Sequence, residues 1–210
     1  IPNAADFSLS DHLLNKVDKQ AFRKELGWEG KFVIIYVGAH GVANHLEQIL
    51  ETAALLRDEP VHFALIGDDM RKNALKQQAA TMQLTNLEFI DPVNKEKVYE
   101  YIISADAGCS ALKKVDTFKT IYSNKTFDYM GCQTPIFMLI DGISRELVEK
   151  AQAGIYVEPE NAAEFAEKIR WALAHPDEVK QMGMNGYEYA KVNMHRSVLA
   201  ARYLENLVRL

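Results

Sequence analysis

The sequence predicts an α/β fold: an open, doubly wound parallel sheet of about six strands, Rossmann-like, followed by C-terminal helices. Three observations predict it. Short apolar, β-branched runs alternate with longer amphipathic stretches six times within 210 residues. Intervening segments of that length suit parallel strands joined by right-handed crossovers. A closed eight-unit barrel would need at least two more units and about 250 residues.

Each element has its own reason. Lys31 to Val37 is continuously apolar after its first residue, the mark of a strand buried on both faces. Asn44 is placed to cap a helix to about Arg57, with Leu46, Ile49, Leu50, Ala53 and Leu56 on one face. Val61–Ile66 is the second strand, followed by a helix from about Met70 to Gln83. Leu87–Ile90 is the third, and Asn94 opens a helix through Ser104. Ala107–Leu112 is a strand leading into a polar loop, Ser123 caps a helix to about Cys132, and Pro135–Leu139 is the fifth strand. A helix over Ile143–Ala151, a strand over Gly154–Val157 and a helix over Asn161–Ala174 complete the pattern. Residues 1–30 are polar, with one helical stretch near Val17–Leu26. Residues 177–210 hold no strand candidate. They read as two helices, interrupted near Gly183 and Gly186 and again at Asn193–His195. The last, from Ser197, places Leu199, Tyr203, Leu204, Leu207 and Val208 on an apolar side. It packs either on its own domain or on a partner domain.

Composition removes several function classes. Hydrophobic residues at 48% and charged residues at 25% are globular values, so a wholly disordered chain is excluded. The longest apolar run, Phe32–Val37, falls far short of the roughly 20 residues that span a membrane. Net charge is −5, which argues against general nucleic-acid affinity. Cys109 and Cys132 form no framework, and no basic-then-apolar leader is seen; the expected setting is the reducing cytoplasm. No H-x-x-x-H, C-x-x-C or clustered carboxylates appear at ligand spacing, so no metal and no cofactor is expected. Neither a G-x-S-x-G elbow nor a Walker motif occurs.

In an open α/β sheet, ligands bind beyond the carboxyl ends of the strands. The first such loop holds Gly38 and Gly41, which either serve a tight turn or let backbone approach a ligand. His40, mid-loop, reads as a surface or satisfied side chain before an acid or base. The second loop, Gly67-Asp68-Asp69, leads to Arg71 and Lys72 in a first helical turn, where the helix dipole prefers anions. These are either two solvated cations or a place for a bound anion. The most informative stretch is Ser123-Asn124-Lys125-Thr-Phe-Asp128-Tyr-Met-Gly-Cys-Gln-Thr-Pro135. A diphosphate would suit both the free first-turn N–H groups, Ser123 and Asn124 included, and Lys125. Asp128 lies one turn on, where a carboxylate can accept from two adjacent ribose hydroxyls. Lys125 and Asp128 are both expected on an exposed helix start. The loop Lys113–Tyr122 carries Lys113, Lys114 and Lys119. It is either a mobile surface loop or one that orders over a ligand.

Gly38-x-x-Gly41, Gly67-Asp68-Asp69, Asn124–Pro135, Ala153-Gly-Ile-Tyr-Val-Glu-Pro159 and Met182-Gly-Met-Asn-Gly186 stand in an order that carries a family likeness. Together they resemble the C-terminal, nucleotide-sugar-binding domain of family-4 (group 1) retaining glycosyltransferases, built as two Rossmann-like domains. The likeness covers nearly the whole chain and implies residues 1–30 as a post-linker segment, 31–176 as the core and 177–210 as closing helices. The N-terminal acceptor domain would lie outside it. The resemblance implies a nucleotide-sugar donor, UDP-linked, with Lys72, Lys125, Ser123 and Asn124 on the diphosphate and Asp128 on the ribose. Asp91, Pro92 and Val93 would flank the base. It further implies surface-polysaccharide synthesis and peripheral membrane association through the absent domain. The chain departs from the family's E-x7-E motif, whose first acid falls on Thr120 and second on Asp128. The usual Arg and Lys of the first loop become Ala39 and Asn44, and the usual Gly before Thr-Pro becomes Gln133. No residue is assigned to the chemical step. A UDP-sugar 2-epimerase and a non-catalytic nucleotide-binding or scaffold module are the alternative readings.

Overall fold

The computed structural model describes residues 5–195 together with Leu199, Ala200 and Leu204. Six strands form one all-parallel sheet: β1 (Phe32–Val37), β2 (Val61–Ile66), β3 (Leu87–Ile90), β4 (Ala107–Ala111), β5 (Ile136–Leu139) and β6 (Gly154–Tyr156). Their order across the sheet is β3-β2-β1-β4-β5-β6. Every predicted strand is present, with edges within one residue of the expectation. Nine helices stand among the described residues: α1 (Phe7–Lys16), α2 (Lys19–Glu25), α3 (Glu47–Leu55), α4 (Lys72–Thr81), α5 (Lys95–Ser104), α6 (Asn124–Gly131), α7 (Ile143–Lys150), α8 (Ala162–Ala174) and α9 (Pro176–Asn193).

The two-residue period of the strands divides the core into two halves. Val33 and Ile35 of β1, and Ile136 and Met138 of β5, enter a cluster with Phe7, Leu13, Tyr99, Ile102, Phe127, Tyr129 and Tyr187. Ile34 and Tyr36, and Phe137 and Leu139, enter the opposite cluster with Ile49, Leu50, Leu75, Phe165 and Ile169. Helices α1, α5, α6 and α9 thus cover one face, and α3, α4 and α8 the other. That double cover is why the strands read as unbroken apolar runs.

Four expectations at helix boundaries fail, each for a physical reason. The polar N-terminal segment holds two helices: α1 precedes the predicted one and buries Phe7 and Leu13. Asn44 is the end of a short 3₁₀ turn, and His45 in the left-handed region separates it from α3, whose N-cap is Leu46. The α4 helix begins at Lys72, after Arg71. Finally, α9 runs unbroken through Gly183 and Gly186. A Cβ on Gly183 would stand 2.2 Å from the Gln133 carbonyl oxygen, and one on Gly186 would stand 2.9 Å from the Ala153 Cβ. These glycines are close-approach points that let α9 lie on the α6–β5 corner. Of the residues predicted for the final helix, Leu199 is buried and Leu204 exposed; Tyr203, Leu207 and Val208 lie outside the described residues.

Candidate functional site

The strand order reverses direction between β1 and β4, since β1 leads outward to β2 and β4 leads outward to β5. A crevice opens at such a switch point, beyond the carboxyl ends of the strands. Here β1 and β4 pair only at Ile34–Ala107 and Ile35–Gly108, so their last residues splay apart. The Tyr129 side chain of α6 fills the wedge. Its hydroxyl accepts from the Val37 N–H at 3.1 Å and lies 3.2 and 3.1 Å from the carbonyls of Ile35 and Cys109. Gly108 is required beneath it, because a Cβ there would fall 2.6 Å from the tyrosine ring. Neither residue was singled out from the sequence; a lone Tyr on an amphipathic helix gives no sign that its hydroxyl replaces ladder bonds.

Two glycines shape the mouth of the crevice. Gly38 has φ +142° and Gly67 has φ +143°, conformations that side chains rarely adopt. A Cβ on Gly67 would overlap the Gly38 carbonyl oxygen at 1.9 Å, so the loops after β1 and β2 touch backbone to backbone. Gly41 meets Asp69 in the same way: its Cβ would lie 2.8 Å from Oδ2.

Lys125 crosses the switch point from the α6 side. Its Cε lies 3.3 Å from the position a Gly38 Cβ would take, and its ammonium stands 4.8 Å from the centre of the Tyr36 ring. Among the described residues it forms no ion pair. Burial pulls its pKa down to about 8. Lys125 is half-buried rather than exposed as expected, beside an exposed Asn124. Asn124 and Lys125 occupy the first turn of α6, where intrahelical acceptors are missing.

Ser123 is the N-cap residue, but its side chain does not cap. Its Oγ accepts from Ser110 Oγ at 2.7 Å, and its amide donates to Ser144 Oγ at 3.1 Å. That amide, expected to face an anion, is thus satisfied internally.

Lys72 is likewise already bound. Its ammonium donates to the Gly67 carbonyl at 2.6 Å and to Asp91 Oδ1 at 2.7 Å, and the Ile90 carbonyl is 3.4 Å away. Arg71 pairs with Glu47 at 2.7 Å. The conflict of two cations with the α4 dipole is resolved inside the protein, so no bound anion is needed there. Asp91 and Pro92 are exposed, whereas Val93 packs on the core.

His40 is fully buried between these loops, with ring contacts to Tyr36 and Phe89, and neither ring nitrogen has a hydrogen-bond partner in the structure. Burial, with the nearby Lys72 charge, holds its pKa down at about 4, so it is neutral.

Asp128 is not solvated either. Its Oδ1 accepts from the Tyr99 hydroxyl at 2.6 Å, and burial raises its carboxyl above the usual range, against the pull of that bond. Thr120, in the acid-deficient position, closes a 3₁₀ turn and donates to the Thr117 carbonyl at 3.1 Å. Its loop is pinned: Lys113 N donates to the Ala43 carbonyl, Lys114 pairs with Glu158 at 2.7 Å, and Lys119 with Asp116 at 3.0 Å. Together with Phe118 and Asp141 these lysines line a cavity of about 210 Å³. Among the described residues no His, Cys, Asp or Glu trio gathers to hold a metal ion, and no helix is long and apolar enough to cross a membrane.

Strand order and the glycine-shaped crevice define the class: a Rossmann-like α/β domain. The family model of the glycosyl transferases group 1 matches residues 18–189, and the chain belongs to that family. It is 34% identical over 89 residues to WcaI of Escherichia coli K12, named provisionally as a colanic acid biosynthesis glycosyl transferase, covering 42% of this chain and 22% of that one. Its fold matches Alr3699/HepE of Anabaena in complex with UDP-glucose, with TM-score 0.80 and 18% identity over 92% of this chain and 53% of that one. It also matches the C-terminal domain of the group 1 protein LpcC of Francisella tularensis, with TM-score 0.72 and 16% identity over 85% and 94% of the two chains. The matches therefore cover about half the length of HepE and under a quarter of WcaI.

Proposed function

We propose that this chain is the donor-binding half of a retaining glycosyltransferase. It holds a nucleoside-diphosphate sugar, UDP-linked, for transfer to a glycan or lipid-linked acceptor in surface-polysaccharide synthesis. The observation that carries the reading is Lys125: a half-buried ammonium at a helix start, on the switch point, with no ion-pair partner among the described residues. A diphosphate supplies the missing counter-charge, and helix α6 presents its N-terminus to the same anion. The binding of UDP-glucose by HepE and the colanic acid role in the name of WcaI support the donor and pathway class.

In this reading Lys125 and the first turn of α6 hold the diphosphate without a metal, offsetting the charge that grows on it as the sugar leaves. Gly38 and Gly41 admit the phosphates close to backbone. Lys72, already held by Gly67 and Asp91, sets the shape of the second loop and meets the phosphates at its edge. Asp128 reads the ribose, and Asp91, Pro92 and Val93 flank the base. Acceptor contacts and water exclusion belong to an N-terminal domain outside this chain, which would also make any membrane contact.

Calorimetry of UDP and inorganic diphosphate, each with and without chelator, tests the reading. UDP is expected to bind in chelator, and Asp128→Ala is expected to lose UDP affinity while keeping that for diphosphate. Loss of binding in chelator removes the metal-free site, and no binding at millimolar UDP removes the donor site. Sugar transfer by this chain alone would overturn the two-domain requirement.

A further inference from the structure

We infer that Tyr99 is a positioning residue for the ligand: it holds the Asp128 carboxylate in its binding orientation and keeps it ionised. The inference rests on the reading of Asp128 as the ribose acceptor.

Asp128 is a demanding choice for that task. Its carboxyl is carried on one methylene and sits largely out of water, where the charged form is disfavoured. Left alone, such a group takes up a proton or swings toward solvent. Tyr99 opposes both. Its ring is fully buried, anchored in the core on α5, and its hydroxyl reaches across to α6 to donate a 2.6 Å bond to Oδ1. A bond this short to a charged acceptor is of the stronger kind. The hydroxyl is itself held protonated, because burial and the neighbouring Asp128 charge push its pKa upward. It therefore acts only as a donor toward the carboxylate. With Oδ1 taken, Oδ2 is the oxygen left for a ligand hydroxyl.

The surroundings fit a tuned carboxylate. From α5, Lys95 places its ammonium 5.3 Å over the Tyr99 ring and adds a favourable charge. From the segment before α1, Asp6 opposes it, but Asp6 accepts from Lys95 at 3.2 Å. From α6 itself, Lys125 contributes a further favourable charge. Of these groups Tyr99 alone makes a direct bond to Asp128 and does so from a rigid, buried ring. Its removal therefore takes away orientation and ionisation together.

The experiment compares the wild-type chain with Tyr99→Phe, which keeps the ring and loses only the hydroxyl. Carbon-13 NMR of the aspartate carboxyls is followed through pH without ligand, and UDP and inorganic diphosphate are titrated by calorimetry across the same range. The Asp128 carboxyl is expected to titrate at higher pH in Tyr99→Phe. UDP affinity is expected to fall about 5- to 10-fold, as for one lost hydrogen bond, with the deficit widening toward acid, and diphosphate affinity is expected to stay unchanged. An unmoved Asp128 titration overturns the inference even if UDP binding weakens, since the loss is then structural. Equal losses for UDP and diphosphate overturn it as well. Wild-type binding of UDP with Tyr99→Phe indistinguishable from it sinks this inference alone. Absence of UDP binding by the wild type sinks the proposed function and the inference with it.

Discussion

The starts of α4 and α6 look alike as sequence and differ as chemistry. Each places a lysine in the first turn of a helix that follows a strand, where the helix dipole favours anions. At α4, the Lys72 ammonium is filled by the Gly67 carbonyl and the Asp91 carboxylate. At α6, the Lys125 ammonium lies on the Tyr36 ring, and no carboxylate among the described residues forms an ion pair with it. The difference teaches that a cation at a helix start announces a need for acceptors, not a ligand. Whether the fold meets that need from within is decided by the loop that packs opposite. Asp91 reaches Lys72 from the end of β3, the neighbouring strand, while the backbone opposite Lys125 is Gly38, which has no side chain to offer.

The comparison breaks most sharply at Lys125. In Lys125→Met, affinity for both UDP and diphosphate is expected to fall roughly 10- to 150-fold, or about 1.5–3 kcal/mol for a charge-assisted contact. The melting temperature is expected to hold or rise, since a half-buried charge with no ion-pair partner among the described residues is removed. The pH dependence carries a sign check. An ammonium held near 8 in the folded chain and near 10.4 unfolded leaves the unfolded state with more bound protons between those values. Stability therefore rises from pH 8 to 10, and Lys125→Met should flatten that rise while UDP affinity in the wild type falls over the same range. Thermal melts and titrations at pH 7, 8.5 and 10 measure both.

Lys72→Met should act mainly on stability, with a smaller loss of phosphate affinity at the loop's edge. It leaves the half-buried Gly67 carbonyl and the Asp91 carboxylate without their donor, at a cost of about 1 kcal/mol. For a chain of this size that is a drop of a few degrees in melting temperature, roughly 2–4 °C for each kcal/mol. If the melting temperature holds while diphosphate affinity collapses, the two lysines have been assigned the wrong way round.

An effect confined to acid pH comes from His40, which shares the α4 side with Lys72. Its pKa is held at about 4 by burial first and the Lys72 charge second, against an ordinary value near 6.5. The unfolded chain then binds a proton that the folded chain refuses. Stability should decline as pH falls from about 6.5 to about 4, by on the order of 3 kcal/mol, and level off below. His40→Phe should remove that part of the acid sensitivity in denaturant titrations at pH 7, 5.5 and 4.5. An unchanged slope would mean that the imidazole is not buried neutral.

Nearly all of the sheet was legible because its signal is local. Strands buried on both faces announce themselves as apolar runs, and Asn94 and Asn161 cap α5 and α8 as their chemistry suggests. What stayed hidden was set by distant contacts. Gly183 and Gly186 are helix breakers by propensity, yet α9 passes through them, because the packing of α9 against Gln133 and Ala153 outweighs roughly 1 kcal/mol per glycine. The α1 helix was overlooked because Phe7 and Leu13 are sparse apolar points in a polar stretch. Part of the first two loops' geometry was legible, since Gly38, Gly67 and Lys125 do come together. The partners of the site side chains were not. No spacing rule links Tyr99 to Asp128, Lys72 to Asp91 or Ser123 to Ser144.

The Tyr129 hydroxyl has a mechanical consequence. By joining β1 to β4 where their ladder ends, it works as a rivet at the root of the crevice, and Gly108 seats the rivet head by giving the ring room. The loops on either side are thereby fixed to a base that does not spread. Narrowing or widening of the cleft has to come from the loops themselves or from motion of the domain as one stiff body. Slow hydrogen exchange at the Val37 amide, whose proton is held by that side chain rather than by a neighbouring strand, is the signature of such a hinge-free root.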